Sequence, residues 1–144
     1  MIKIILVFLL FCVACGSVDN NQSLIVGRWY VIDIGIDAEK GKANKSDIFS
    51  LGLINLGLMM MPDSCRLFFD FSKTEKIIKG NSCSSNDSGS FKIINDTTLL
   101  CEYSGETPEF IILELDSNNL KLKFTVDTES SSTLYYLKRD RADK

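Results

Sequence analysis

The sequence predicts an all-β domain, an eight-stranded antiparallel up-and-down barrel with one helical insertion after the first strand. Three observations carry this. Eight short segments rich in β-branched and aromatic residues follow one another along the chain. The connections between most of them are short and polar, as hairpin loops are. Nine Phe and four Tyr stand against only two Pro, so sheet-breaking residues are scarce. A chain of 144 residues fits one domain, and closing the sheet removes its exposed edges.

The chain opens on MIKIILVFLLFCVACGS. Lys3 gives a positive start, and Ile4 to Val13 is an unbroken apolar run of ten. That is too short to span a bilayer as a helix and fits the core of an export signal. The run meets the small residue Ala14 and then Cys15. Together they resemble the lipobox of bacterial lipoproteins, in which the Cys becomes the lipidated first residue of the mature chain. Cys12 stands where that family usually has Leu. The resemblance implies that residues 1–14 are a signal peptide. It also implies that Cys15 carries acyl chains such as palmitate, and that the bilayer is a partner. Two or more acyl chains anchor a protein stably. Gly16 after the Cys is unlike the Asp that retains some such lipoproteins at the inner membrane, so the implied address is the bacterial envelope, with the outer membrane favoured. Residues 15–23, ending in the polar stretch GSVDNNQS, read as a flexible tether.

The barrel is predicted over 24–141. Leu24 to Gly35 is the first strand, with Trp29, Val31 and Asp33 on its inner face. Cys65 to Phe71 is the second, and Ser72-Lys73 turns it into the third, Thr74 to Gly80. Asn81 to Ser88 is turn chemistry throughout. Gly89 to Asn95 and Thr98 to Tyr103 pair through Asp96-Thr97. Glu109 to Leu115 and Leu120 to Val126 flank a four-residue loop, Asp116 to Asn119, and Thr133 to Arg139 closes the series.

Residues 36–62 depart from this meander as a polar loop followed by a helical insertion. Ten of the sixteen residues from Ser46 to Met61 are apolar. Phe49, Leu53, Leu56 and Met60 recur at helical spacing and form one face. Ser46 suits an N-cap, Asp47 suits the first turn, and Pro62 stops the helix. Gly52 and Gly57 each cost about 1 kcal/mol of helix propensity. Three roles fit this helix: a lid over the barrel mouth resting on those four residues, a fixed plug completing the core, or a segment lying in the lipid surface.

Gly27-Arg28-Trp29 resembles the G-x-W motif on the first strand of lipocalins and of bacterial lipocalin-like lipoproteins. Arg139 sits where that family stacks an Arg across the Trp. The order of Leu67-Phe68-Phe69-Asp70, Gly89-Ser90-Phe91-Lys92-Ile93 and Leu115 to Leu120 is also similar. The likeness runs over about residues 24 to 139. It implies a barrel end closed by Trp29 and Arg139, since a guanidinium can stack on an indole while donating to carbonyls. An eight-stranded barrel can also hold one small ligand. The candidates to line such a site are Val31, Phe69, Phe91, Leu113, Phe124 and Tyr135. Core volume decides between two function classes. If Trp29, Phe69, Phe71, Phe91, Phe124 and Tyr135 fill the interior, ligand binding loses its basis. The chain is then an interaction or structural module of the envelope, with its protein partner unspecified.

With Cys15 acylated, Cys65, Cys83 and Cys101 remain as thiols after processing. An exported chain sees an oxidising compartment, and Cys65 with Cys83 is the expected disulfide because the ends of their hairpin should meet. Cys101 reads as a small core residue. The chain contains no His, which excludes Ser-His-Asp and Cys-His nucleophile systems and His-bearing zinc sites. No fourth ligand at close spacing completes a three-Cys metal site, and neither a metal nor a cofactor is expected. The net charge of −3 and the lack of a basic run argue against nucleic acid. No nucleophile–base pair is visible, so an enzyme is the least expected class.

Overall fold

A computed structural model describes residues 20–38, 45–81, 83–84, 86–125 and 131–141. The chain order is α1 (Asn20–Ile25), β1 (Gly27–Ala38), α2 (Lys45–Met60), a 3-10 turn (Asp63–Cys65), β2 (Leu67–Phe71), β3 (Lys76–Asn81), β4 (Asp87–Ile94), β5 (Thr98–Tyr103), β6 (Glu109–Leu115), β7 (Asn119–Thr125) and β8 (Ser131–Arg139). The eight strands form a closed barrel in sequence order. Each strand pairs antiparallel with its neighbours, and β1 pairs with β8 to close the wall.

Alternation puts the apolar residues inside. Trp29, Val31, Phe69, Phe71, Ile77, Phe91, Leu99, Cys101, Phe110, Ile112, Leu122 and Leu137 belong to one buried core. On the outer face, Arg28 of β1 bonds Asp70 of β2 at 2.8 and 3.1 Å. Its guanidinium also lies 4.7 Å from the centre of the Phe68 ring. Tyr30 meets Phe68 edge-on, so Phe68 is buried although it points away from the barrel interior.

Two bulges reset the alternation, and beside them two inward expectations, Asp33 and Leu113, are corrected. The β1–β8 register shifts between Val31 and Asp33. Asp33 therefore turns out to solvent, and Ile34 packs against the core in its place. The β6–β7 register shifts between Ile112 and Glu114. Leu113 is the inserted residue. It is 48% exposed, and Phe110 and Ile112 face inward instead.

The last residues of the predicted tether overlap a short helix before β1. Asn20 to Ser23 belong to α1, which carries Ile25 into full burial and ties Asn21 Nδ2 to the Asp96 carbonyl at 2.6 Å. The predicted signal peptide, Cys15 and residues 16–19 lie outside the described residues, as do residues 39–44.

β1 is the longest strand, and it is unequally paired. It runs beside β8 from Trp29 to Ala38 but meets β2 only from Gly27 to Tyr30. Beyond Tyr30 its other edge is covered by α2. The helix spans Lys45–Met60, close to the predicted range, and packs on β1.

Candidate functional site

The first candidate site is the closed end of the barrel. Trp29 and Arg139 are direct partners in the β1–β8 register. The Arg139 guanidinium lies 4.2 Å from the centre of the indole. Arg139 Nε donates to the Ser117 carbonyl at 2.8 Å, Nη1 to the Val26 carbonyl at 2.5 Å, and Nη2 to the Leu24 carbonyl. Trp29 Nε1 donates to the Ile25 carbonyl at 2.7 Å. The end of α1 leaves carbonyls without helical partners, and these two side chains satisfy three of them. Gly27 makes this fit. Its φ is +123°, and a Cβ there would stand 2.7 Å from Arg139 Nη1. The pair holds α1, β1 and β8 together at one end, which is a structural duty.

The second candidate is the interior. Phe69 stacks on Phe71 and meets Phe110 and Tyr135 edge-on, with ring centres 6.3 to 6.5 Å apart. Phe71 meets Phe91 at 5.0 Å, and Phe110 meets Phe124 at 5.3 Å. Five of the six ligand-lining candidates, Val31, Phe69, Phe91, Phe124 and Tyr135, belong to this packed cluster or lie against it. Leu113 does not. Phe110 was not among the candidates although it touches three of the rings. Its segment, FIILEL, is apolar on both faces, so alternation alone does not fix which side is inner.

Two clefts lie between elements. One of about 600 Å³ lies between Glu106–Glu109 and Lys123–Thr125. Another, of about 370 Å³, lies between α2 and the β1–β8 rim, lined by Ile34, Ile36, Leu51, Ile54 and Thr133 among others.

The third candidate is α2. Its inner face is Leu51, Asn55 and Leu58, the three half-buried residues of its middle. Leu58 packs against the core, and Asn55 bonds the backbone of Ile34. The predicted lid residues are on the opposite face. Phe49, Leu53, Leu56 and Met60 are 69, 55, 53 and 76% exposed and cover nothing among the described residues. The reason is geometric. A helix that is apolar all round has more than one regular stripe, and the stripe that packs here is the one carrying Asn55.

The cysteines divide as expected. Cys65 and Cys83 form a disulfide, with their Cα atoms 5.0 Å apart. It joins the turn after α2 to the turn after β3. Cys101 is a free, buried thiol, and burial pushes its pKa up to about 11. Such a thiol is inert at neutral pH. Comparison of the chain with protein-family models, with curated proteins and with solved structures finds no match.

Proposed function

We propose that this chain is a lipid-anchored protein of the bacterial envelope, acylated at Cys15, whose barrel acts through its surface and not by carrying a ligand inside. The observation that supports the second half is the aromatic cluster. Phe69 alone contacts Phe71, Phe110 and Tyr135, so protein occupies the space where a lipocalin-type ligand would sit. The likeness to lipocalin-like lipoproteins then rests on the end plug of Trp29 and Arg139 and on the barrel, not on a binding cavity. The lipobox-like run ending at Cys15 supports the anchor, with the outer membrane as the favoured address.

Two measurements test the proposal. Cys15→Ser should remove the lipid mass shift and release the protein from the membrane fraction. A wild-type chain without lipid, and a variant that fractionates unchanged, would sink the anchor. Native mass spectrometry of the purified protein should show no retained small molecule. A stoichiometric apolar adduct would restore the carrier reading.

The cleft between α2 and the β1–β8 rim favours one second reading, in which a small apolar molecule wedges beneath the helix. A fluorescent fatty acid that slows hydrogen exchange in α2 would support it.

A further inference from the structure

We infer that the closed end of the barrel rests on the lipid surface that holds Cys15, and that the open end faces away from it. The inference rests on the acylation of Cys15 proposed above and names the part of the fold that meets the bilayer.

Topology sorts the two ends. β1 begins and β8 finishes beside the Trp29–Arg139 plug. Successive strands alternate in direction, so the β2–β3, β4–β5 and β6–β7 turns lie at that same end. The β3–β4 and β5–β6 turns and the entry to α2 lie at the other.

α1 is fastened to the closed end along its length. Asn21 Nδ2 donates to the Asp96 carbonyl in the β4–β5 turn at 2.6 Å. Trp29 and Arg139 hold the carbonyls of Leu24, Ile25 and Val26. Ile25 is fully buried. The chain therefore enters the fold at a fixed place on the base of the barrel.

The length of chain before that place sets the posture. Five residue steps separate Cys15 from Asn20. No conformation of five residues spans more than about 18 Å. The inverted posture needs more. β1 from Trp29 to Ala38 is about 30 Å long, and a strand tilt of about 40° leaves roughly 23 Å along the barrel axis. With the open end on the lipid, Asn20 would be lifted beyond the reach of its anchor.

Charge adds an independent observation. The closed end carries both signs in balance, Lys73, Lys76, Lys138 and Arg141 beside Glu75, Asp96, Asp116 and Asp140. At the open end the pairs Arg66–Asp63 and Lys123–Asp37 cancel. Among the other described residues there, Asp87, Glu102, Glu106 and Glu109 stand against Lys79. An anionic phospholipid surface repels the acidic end and accepts the balanced one. The closed-end turns, 72–75, 95–97 and 116–118, expose no large apolar side chain. They meet headgroups without entering hydrocarbon.

The test uses the full acylated chain, with its Cys65–Cys83 disulfide formed, in vesicles of phosphatidylethanolamine and phosphatidylglycerol. A photoreactive benzoylphenylalanine replaces Lys73 or Ser117 at the closed end, Thr107 at the open end, or Leu56 on α2, one at a time. The mass of the N-terminal peptide first establishes the acyl chains on Cys15. Their absence would sink the anchor reading and this inference with it. With acylation shown, phospholipid adducts should form at positions 73 and 117 at least tenfold more than at 107 or 56. Inserting about twenty Gly and Ser residues after Gly16 should reduce that preference at least threefold, because a long flexible tether frees the barrel to turn. Adducts chiefly at position 56 or 107, or at none of the four, would overturn the inference while leaving the anchor standing. A closed-end preference unchanged by the longer tether would overturn tether length as its cause.

Discussion

Asn55 completes the backbone of Ile34. Its side-chain amide accepts from the Ile34 N–H at 2.9 Å and donates to the Ile34 carbonyl at 2.8 Å. A single side chain thus does what a neighbouring strand does elsewhere in the wall, at the point where β2 has already diverged from β1. Asn55→Leu should cost about 1–3 kcal/mol, because a partly buried carbonyl loses its partner. Urea unfolding measures the loss, and hydrogen exchange at Ile34 and through α2 should accelerate. Unchanged exchange in α2 would show that its hold on β1 is apolar alone.

Trp29 and Arg139 should be coupled. Trp29→Ala removes a fully buried indole and should cost about 3–5 kcal/mol. Arg139→Ala also strips three carbonyls of a donor. A double-mutant cycle in chemical unfolding should give a coupling of about 0.5–3 kcal/mol. A value near zero would mean that the stacking contributes nothing beyond its separate contacts.

Gly27 is constrained twice, by its φ of +123° and by the guanidinium beside it. Gly27→Ala should destabilise by about 1–3 kcal/mol through backbone strain, and more if the Arg139 bonds are displaced. Combining it with Arg139→Ala should recover part of the loss. Additive losses would mean that strain alone is at work.

Stability should fall in alkali. Burial raises the Cys101 thiol from its ordinary 9.0 to about 11, and Tyr103 and Tyr135 are raised by burial as well. Between pH 9 and 11 the unfolded chain has lost a thiol proton that the folded chain keeps. The unfolded state is therefore favoured as pH rises through that window, and no loss from this group occurs below it. Thermal melts should show this decline, and Cys101→Ala should make it shallower. An identical slope in the variant would assign the effect to the tyrosines.

Reduction should loosen the root of α2. Cys65 and Cys83 are separated by 18 residues, a loop for which a cross-link contributes about 3 kcal/mol. The pair Cys65→Ser and Cys83→Ser should lower stability by about 2–4 kcal/mol and speed hydrogen exchange near Pro62. Equal stability with and without reductant would mean that the reduced chain keeps this loop closed by other contacts.

The strands were legible because alternation and turn chemistry agree at almost every hairpin. What escaped was local. The bulge before Asp33 turns that residue outward, and a bulge leaves no mark in a period-two pattern; Leu113 shares the outer phase of Ile111 in a segment that is apolar on both faces. The face of α2 escaped because its apolar residues surround the helix. The decisive residue was the polar one, Asn55, whose partner is backbone that belongs to no sequence pattern. The Trp29–Arg139 contact was legible from the motif alone. The rings packed around Phe69 were individually visible, but their mutual contact depends on strand register across the barrel.

One property of the topology bears on how the molecule comes into being. Every hydrogen-bonded strand pair but one joins sequence neighbours, and the exception joins the first strand to the last. The hairpins can form early from nearby residues, whereas closure must wait for β8 to be available. Trp29 and Arg139 sit on that final junction. Their contact reports completion: a chain ending before Arg139 would carry its hairpins and its core residues but no fastener across the last gap. A refolding experiment that follows indole fluorescence should therefore see its slowest change at the closing of the barrel, after most of the sheet signal has appeared.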